Sequence, residues 1–236
     1  MAAPEARRAL DPAQPRELAQ PVGQRTRRRA ALRLQLFRLR STMPDPSETT
    51  ASTAADETVI AETRRWLERA VIGLNLCPFA RSVHTGGGIR YRVSHAQTPE
   101  QLLEHLGEEL QLMSSVAGDS VETTLLIHPQ ALTDFLDFND FLDVVDAAVE
   151  TLGLSEVLQV ASFHPHYQFA DTDADDIGNY TNRAPYPTLH LLRHDSVERA
   201  VAAVPDPAAI FETNIETLRR LGHAGWLRLM SDEGST

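Results

Sequence analysis

No lysine occurs among the 236 residues, so all 22 basic side chains are arginines. Mechanisms built on a lysine are thereby excluded: a Schiff base, a Walker-type phosphate lysine or a Ser-Lys pair. Cysteine is nearly absent as well. With Cys77 alone, the chain can form no internal disulfide, C-x-x-C motif, four-cysteine zinc site or chain-borne iron-sulfur cluster, and a reducing cytoplasm is the expected compartment. No apolar run approaches the roughly 18 residues of a membrane span, and no apolar signal-peptide core lies near the N-terminus. A soluble protein without a membrane partner is expected.

Positive charge is scarce outside the first stretch of the chain. Residues 1–42 carry ten arginines against three acids, a net +7, whereas residues 43–236 carry twelve against thirty, a net −18. So acidic a remainder argues against a nucleic-acid partner. The basic segment is rich in Pro, Ala, Gln and Arg and has no apolar periodicity with which to build a core. Residues 1–55 therefore read as a disordered extension, with Met43 a natural start, and residues 56–230 as one α/β domain followed by a flexible tail at 231–236.

From Asp56 the patterns sharpen. Val59, Ile60, Trp66, Leu67, Ala70, Val71 and Leu74 recur at helical spacing with Asp56 as cap, and Pro78 predicts an end near Leu76. Gly86-Gly87-Gly88 reads as a hinge. Ile89, Tyr91 and Val93 alternate as a strand that ends near His95. Thr98-Pro99-Glu100-Gln101 is a capping box opening a helix through Met113. A strand over 123–127, a helix over 135–152 and a strand over 157–163 follow. The polar segment 164–187 leads to a strand over 188–192, a helix capped by Asp195, and a last helix from Asp206-Pro207 to Gly222. Two strand-helix-strand units predict that the first three strands run parallel, with the fourth, joined without a helix, entering antiparallel. The fold expected is a layered α/β domain with a mixed, mostly parallel sheet of about four strands flanked by helices.

Ligands of parallel sheets bind beyond the carboxyl ends of the strands, and here His95, His128 and His164 close strands one, two and three. Pro129 and Pro165 hold the last two extended. His166 lies two residues on, and His190 points away from Leu189 and Leu191 within the fourth strand. One reading is a divalent metal site, zinc or iron, on His128, His164 and His166 with a carboxylate from the 171–176 run; the other is strand-end histidines beside a solvated acidic loop. His164, His128 and His190 are the candidate acid–base residues. Long ordered loops tend to be functional, and Asn179, Asn182, Arg183 and Tyr186 can hold an anionic group; alternatively Arg183 pairs with the nearby aspartates and ties the loop down. Cys77 is either an activated thiol or a small apolar residue between Leu76 and Phe79, and without a histidine beside it the second reading stands.

The blocks W-L-E-R-A-V-I-G-L-N-L-C-P-F-A (66–80), F-H-P-H-Y-Q-F-A-D-T (163–172) and N-Y-T-N-R-A-P-Y-P-T-L-H-L-L-R (179–193) resemble those of a bacterial family catalogued as domain of unknown function 1415. The likeness spans roughly Asp56 to Met230. It implies that Cys77, His164, Asn182, Arg183, Pro185, Tyr186 and His190 fall on characteristic positions, that members begin near Met43, and that His166 is a local variation on F-H-P-x-Y. It brings no activity or cofactor with it. From the residues themselves, the function expected is a small-molecule enzyme working on an anionic substrate at the carboxyl edge, or else a non-catalytic ligand-binding or regulatory domain using the same pocket.

Overall fold

In the computed structural model the described residues are 49–231 except 119, 205 and 208, with side chains from residue 54 onward. Of the extension expected over residues 1–55, residues 1–48 lie outside them, as does the tail beyond 231, whereas residues 49–55 are helical rather than disordered. The elements are α1 (Thr49–Trp66) continuing into a π-helical segment (Leu67–Ile72), α2 (Ala80–Thr85), β1 (Ile89–Val93), α3 (Pro99–Ser115), β2 (Thr123–Ile127), α4 (Phe135–Thr151), β3 (Leu158–Phe163), a 3-10 segment (Ile177–Thr181), β4 (Thr188–Arg193), α5 (His194–Ala202) and α6 (Ala209–Met230).

Local chemistry starts the two central helices. At α3, Thr98 Oγ1 accepts the Gln101 N–H at 3.3 Å and Pro99 occupies the first turn; the Gln101 side chain reaches back one residue further than a standard capping box, to the Gln97 N–H at 2.9 Å. At α4, Asp134 accepts from the Leu136 and Asp137 N–H groups. Both helices lay Leu102, Leu106, Leu110 and Phe138, Phe141, Val145 against Leu126, Leu189 and Leu191 of the sheet, forming the larger core.

The strand order is β1-β2-β4-β3. β1 pairs with β2 in parallel, and β4 opposes both β2 and β3. Three strands thus share one direction, while β4 inserts between β2 and β3 and makes two of the three pairings antiparallel. Alternation sorts the side chains onto two faces. Thr124, Leu126, Val160, Leu189 and Leu191 meet α3 and α4. The opposite face carries Tyr91, Phe163 and His190, and a second core there gathers Trp66, Leu67, Ala70, Val71 and Ile72 of α1 and its π extension with Trp226, Leu229 and Met230 of α6.

Four elements depart from the sequence expectation. α5 starts at His194 with Arg193 as its N-cap, so Asp195 lies in the first turn rather than capping it. α1 starts ahead of Asp56, which lies inside the helix and faces His95 rather than capping. The six residues that follow it, Leu67–Ile72, adopt π geometry, a widening that keeps four of them buried. Gly222 does not end the final helix: at φ 63°, ψ 170° it is a joint, and the turn after it returns Trp226 to the second core. The glycine run that reads as a hinge follows the short α2, with Gly86 as its C-cap and Gly87 at φ 71°.

Candidate functional site

Because β1, β2 and β3 point the same way, their carboxyl ends form one edge. Continuing the alternation of β2 (124, 126) and β3 (160, 162) by one step puts His128 and His164 on the α3/α4 face, and both are fully buried. They lie either side of β4, so the strand ends that carry them are about 10 Å apart. The Phe138 ring of α4 packs on both, with centroids 5.5 Å from His128 and 5.2 Å from His164. Phe135 covers His164 from the same helix at 5.5 Å.

The hydrogen bonds fix the tautomers, since a carbonyl oxygen only accepts. His128 Nδ1 is 2.9 Å from the Ala131 carbonyl and therefore carries the proton. His164 Nε2 donates to the Leu132 carbonyl at 3.3 Å, while its Nδ1 accepts the His166 N–H at 3.0 Å. That leaves His128 Nε2 as a bare acceptor, buried and with no hydrogen-bond partner among the described residues. Burial lowers both histidines to a pKa of about 4; Coulomb repulsion from His164 adds to this for His128, and repulsion from His166 does so for His164. Both are neutral at physiological pH.

His190 belongs elsewhere. It sits on the opposite face of the sheet, where Nε2 approaches Thr123 Oγ1 at 2.7 Å; that hydroxyl donates to the Leu191 carbonyl, so the imidazole N–H donates to it. Burial lowers its pKa to about 4. The sheet separates it from the His128–His164 pair. His166 is exposed, its ring 5.9 Å from that of His164. Metal ligation by His128, His164 and His166 is not what the geometry offers: both His164 nitrogens are engaged by backbone groups, and no group of three or more His, Cys, Asp or Glu side chains among the described residues is arranged to hold a metal ion.

The loop residues expected to grip an anion are mostly bonded to the loop itself. Asn179 is buried; its Oδ1 accepts from Phe169 N–H and Thr172 Oγ1, and its Nδ2 donates to the Asp173 carbonyl. Arg183 donates to the carbonyls of Tyr167 (3.1 Å) and Ala174 (2.6 Å) and lies 4.4 Å over the Tyr180 ring. It ties the loop down, through carbonyls rather than through the aspartates. Among the described residues Arg183 bonds neither His128 nor His164. Asn182 does reach the edge: its carbonyl accepts the His164 N–H and its Nδ2 approaches the Ser162 carbonyl at 3.4 Å. The Tyr186 hydroxyl donates to Glu62 of α1; burial, and then that hydrogen bond and the Glu62 charge, push its pKa up to about 12. Cys77 packs against the second core, where burial raises its pKa and the Phe79 and Ala80 backbone groups pull it partly back.

A neighbouring cluster was not read from the sequence. At the ends of β1 and β2 a hollow of about 90 Å³ is lined by Asp56, Val59, Ser94, His95 and Pro129 among others. His95 Nε2 lies 3.1 Å from the Asp56 carboxylate. Ser94 Oγ accepts the Ala96 N–H and sits 2.7 Å from His105 Nδ1 of α3. His95 is visible as a strand end; its partner Asp56 lies 39 residues away, and His105, the partner of Ser94, lies 11 residues from that serine, each within a helical pattern that does not announce the contact.

The family described as protein of unknown function (DUF1415) matches residues 58–228, most of the chain. No curated protein and no solved structure matches. The chain belongs to that family.

Proposed function

We propose that this member of the DUF1415 family is a small-molecule enzyme whose proton transfer runs through the neutral imidazole of His128, with His164 beside it as a positioning residue. The observation that carries the reading is His128 Nε2: a bare lone pair, fully buried, without a partner among the described residues. Leaving such a group unsatisfied costs about 1–3 kcal/mol, and a nitrogen kept free of its proton is the form a general base needs. The 128–134 loop that holds both rings contains Leu132 at φ 53°, a left-handed conformation that disfavours a branched side chain. Since the Leu132 and Ala131 carbonyls hold the two rings, movement of this loop frees both together. The chain also changes sides here: after β2 it runs to α4 on one face, and after β3 to the 3-10 segment and Ala184 on the other, the arrangement beside which α/β sheets bind ligands. Asn182 is the residue beside this edge suited to orienting an anionic substrate.

A specific observation favours a second reading, a non-catalytic ligand-binding domain. His128 and His164 have no exposed surface, and neither lines the hollow at the β1 and β2 ends or the cleft beside α6. One experiment separates the two. The purified chain is incubated with mixtures of small carboxylates and phosphates, and consumption is followed by mass spectrometry alongside thermal shift. Turnover that is lost in His128→Phe while the protein stays folded supports the enzyme. Stabilisation by a ligand with no turnover supports the binding domain.

Among the described residues no helix is long and apolar enough to cross a membrane. A net charge of −11 argues against nucleic acid as partner, and the single cysteine supports a reducing cytoplasm.

A further inference from the structure

The larger hollow, about 250 Å³, lies away from the histidine pair, between the 169–178 stretch and α6. α6 supplies one wall with Phe211, Ile215 and Arg219, spaced by four and hence stacked along one helical face. The opposite wall is Phe169 with Asp176, and Phe169 meets Phe211 edge-on at 5.6 Å. The loop wall is well fixed: the three hydrogen bonds of Asn179 brace it, and Asp176 Oδ1 accepts the Gly178 N–H at 2.7 Å. A site of this size is smaller than the roughly 300–1,000 Å³ of drug-sized pockets, so it suits a molecule with a single ring or a branched chain.

Its charges are the informative part. Arg219 is exposed and forms no ion pair or hydrogen bond with a described residue, and Asp176 keeps one carboxylate oxygen outside its turn bond. The two opposite charges line one cleft without closing on each other as an ion pair. A simple carboxylate would meet Arg219 but be repelled by Asp176; a simple amine would meet the reverse. A ligand carrying both charges satisfies both and lays its apolar part against the Phe169–Phe211 pair and Ile215.

We propose that this cleft binds a small zwitterion with an apolar side chain, of the aromatic or branched α-amino acid class, its carboxylate on Arg219 and its ammonium on Asp176. The site is independent of the His128 chemistry. Gly178 lines it, and a methyl group there would stand 3.1 Å from Asp176 Oδ1 and 3.7 Å from Ile215, so Gly178→Ala crowds the ammonium end.

The test titrates the full chain with L-phenylalanine, L-leucine, phenylacetate and phenethylamine, following backbone amide shifts by NMR. The expected result is saturable binding of the amino acids with shifts confined to residues 169–178 and 211–219, and weaker binding of the two singly charged analogues. Arg219→Met removes an exposed charge. Asp176→Asn removes the other while preserving an N-cap side chain. Each is expected to weaken binding about 10- to 100-fold, with the thermal midpoint unchanged. Phenylacetate binding as tightly as phenylalanine, charge variants with unaltered affinity, shifts mapping to another surface, or no amino acid binding at millimolar concentration would each overturn the proposal.

Discussion

His128 and His164 donate to consecutive carbonyl oxygens, those of Ala131 and Leu132. One short loop therefore positions two imidazoles that arrive from strands separated by β4. The rings differ in one respect: His164 uses both nitrogens, whereas His128 uses only Nδ1.

That difference orders two substitutions. His164→Phe strips the Leu132 carbonyl and the His166 N–H of their partners at once, and is expected to destabilise by about 2–4 kcal/mol. His128→Phe abandons one carbonyl but also removes an unsatisfied nitrogen, and is expected to cost about 1–2 kcal/mol or less. Urea titration measures both. Equal losses, or a larger loss at His128, would mean that Nε2 has a partner.

The same burial makes stability depend on pH. His128, His164 and His190 each have a folded pKa of about 4, below the unfolded value of about 6.5. Between those values the unfolded chain binds more protons than the folded one, so stability falls as pH drops from about 6.5 to about 4, by up to about 1.4 kcal/mol per pH unit for each histidine. Above pH 7 these residues contribute no slope. Unfolding free energies at pH 7, 5.5 and 4.5 test this, and His128→Phe is expected to remove one proton's share of the slope. A flat profile from pH 7 to 5 refutes it.

Much of this geometry was legible in the residues, and the part that was not has identifiable causes. Parity along the strands already separates the histidines: Leu126 to His128 and Ser162 to His164 are even steps, and His190 lies between Leu189 and Leu191. Strand direction followed from the helical crossovers, yet nothing in strands of similar apolar composition says that β4 inserts between β2 and β3. The π segment after Trp66 escaped because six residues are too few to tell one helical period from another. The partners of Arg183 escaped for a different reason: backbone carbonyls leave no signature in a sequence.

Cys77 should be unreactive. Burial raises its pKa and it packs against the second core, so alkylation in the native state is expected to be slow at neutral pH. Cys77→Ser places a hydroxyl in the same apolar site and is expected to cost about 1–2 kcal/mol. Labelling as fast as that of a free thiol in solution would restore the activated-thiol reading.

Gly222 tests the joint in α6. Its φ of 63° lies in the left-handed region, and a methyl group there would touch nothing within 4 Å. Only the backbone conformation, a φ-positive extended one that is essentially confined to glycine, therefore penalises Gly222→Ala, by about 1–3 kcal/mol. Were α6 a straight helix at this point, the same change would instead stabilise by about 1 kcal/mol. The sign of the change in thermal midpoint decides between them, and Trp226, four residues on, reports by its fluorescence whether the last turn still docks.

Arg183 bears on whether the 164–187 loop is scaffold or contact surface. Its guanidinium donates to the Tyr167 and Ala174 carbonyls and stacks on Tyr180, an arrangement that needs the planar fork of arginine. Lysine keeps the charge but cannot reach two carbonyls in that geometry or stack on a ring in the same way. If the residue is a brace, Arg183→Lys should behave much like Arg183→Met: amide exchange over residues 167–174 should rise about tenfold or more, corresponding to loss of one or two hydrogen bonds, and the midpoint should drop in both variants. If instead the positive charge is what the protein uses, lysine should preserve ligand-induced stabilisation while methionine abolishes it, and exchange in the loop should barely change. The geometry predicts the first outcome, because two of the five guanidinium N–H donors and one face of the plane are already committed within the loop.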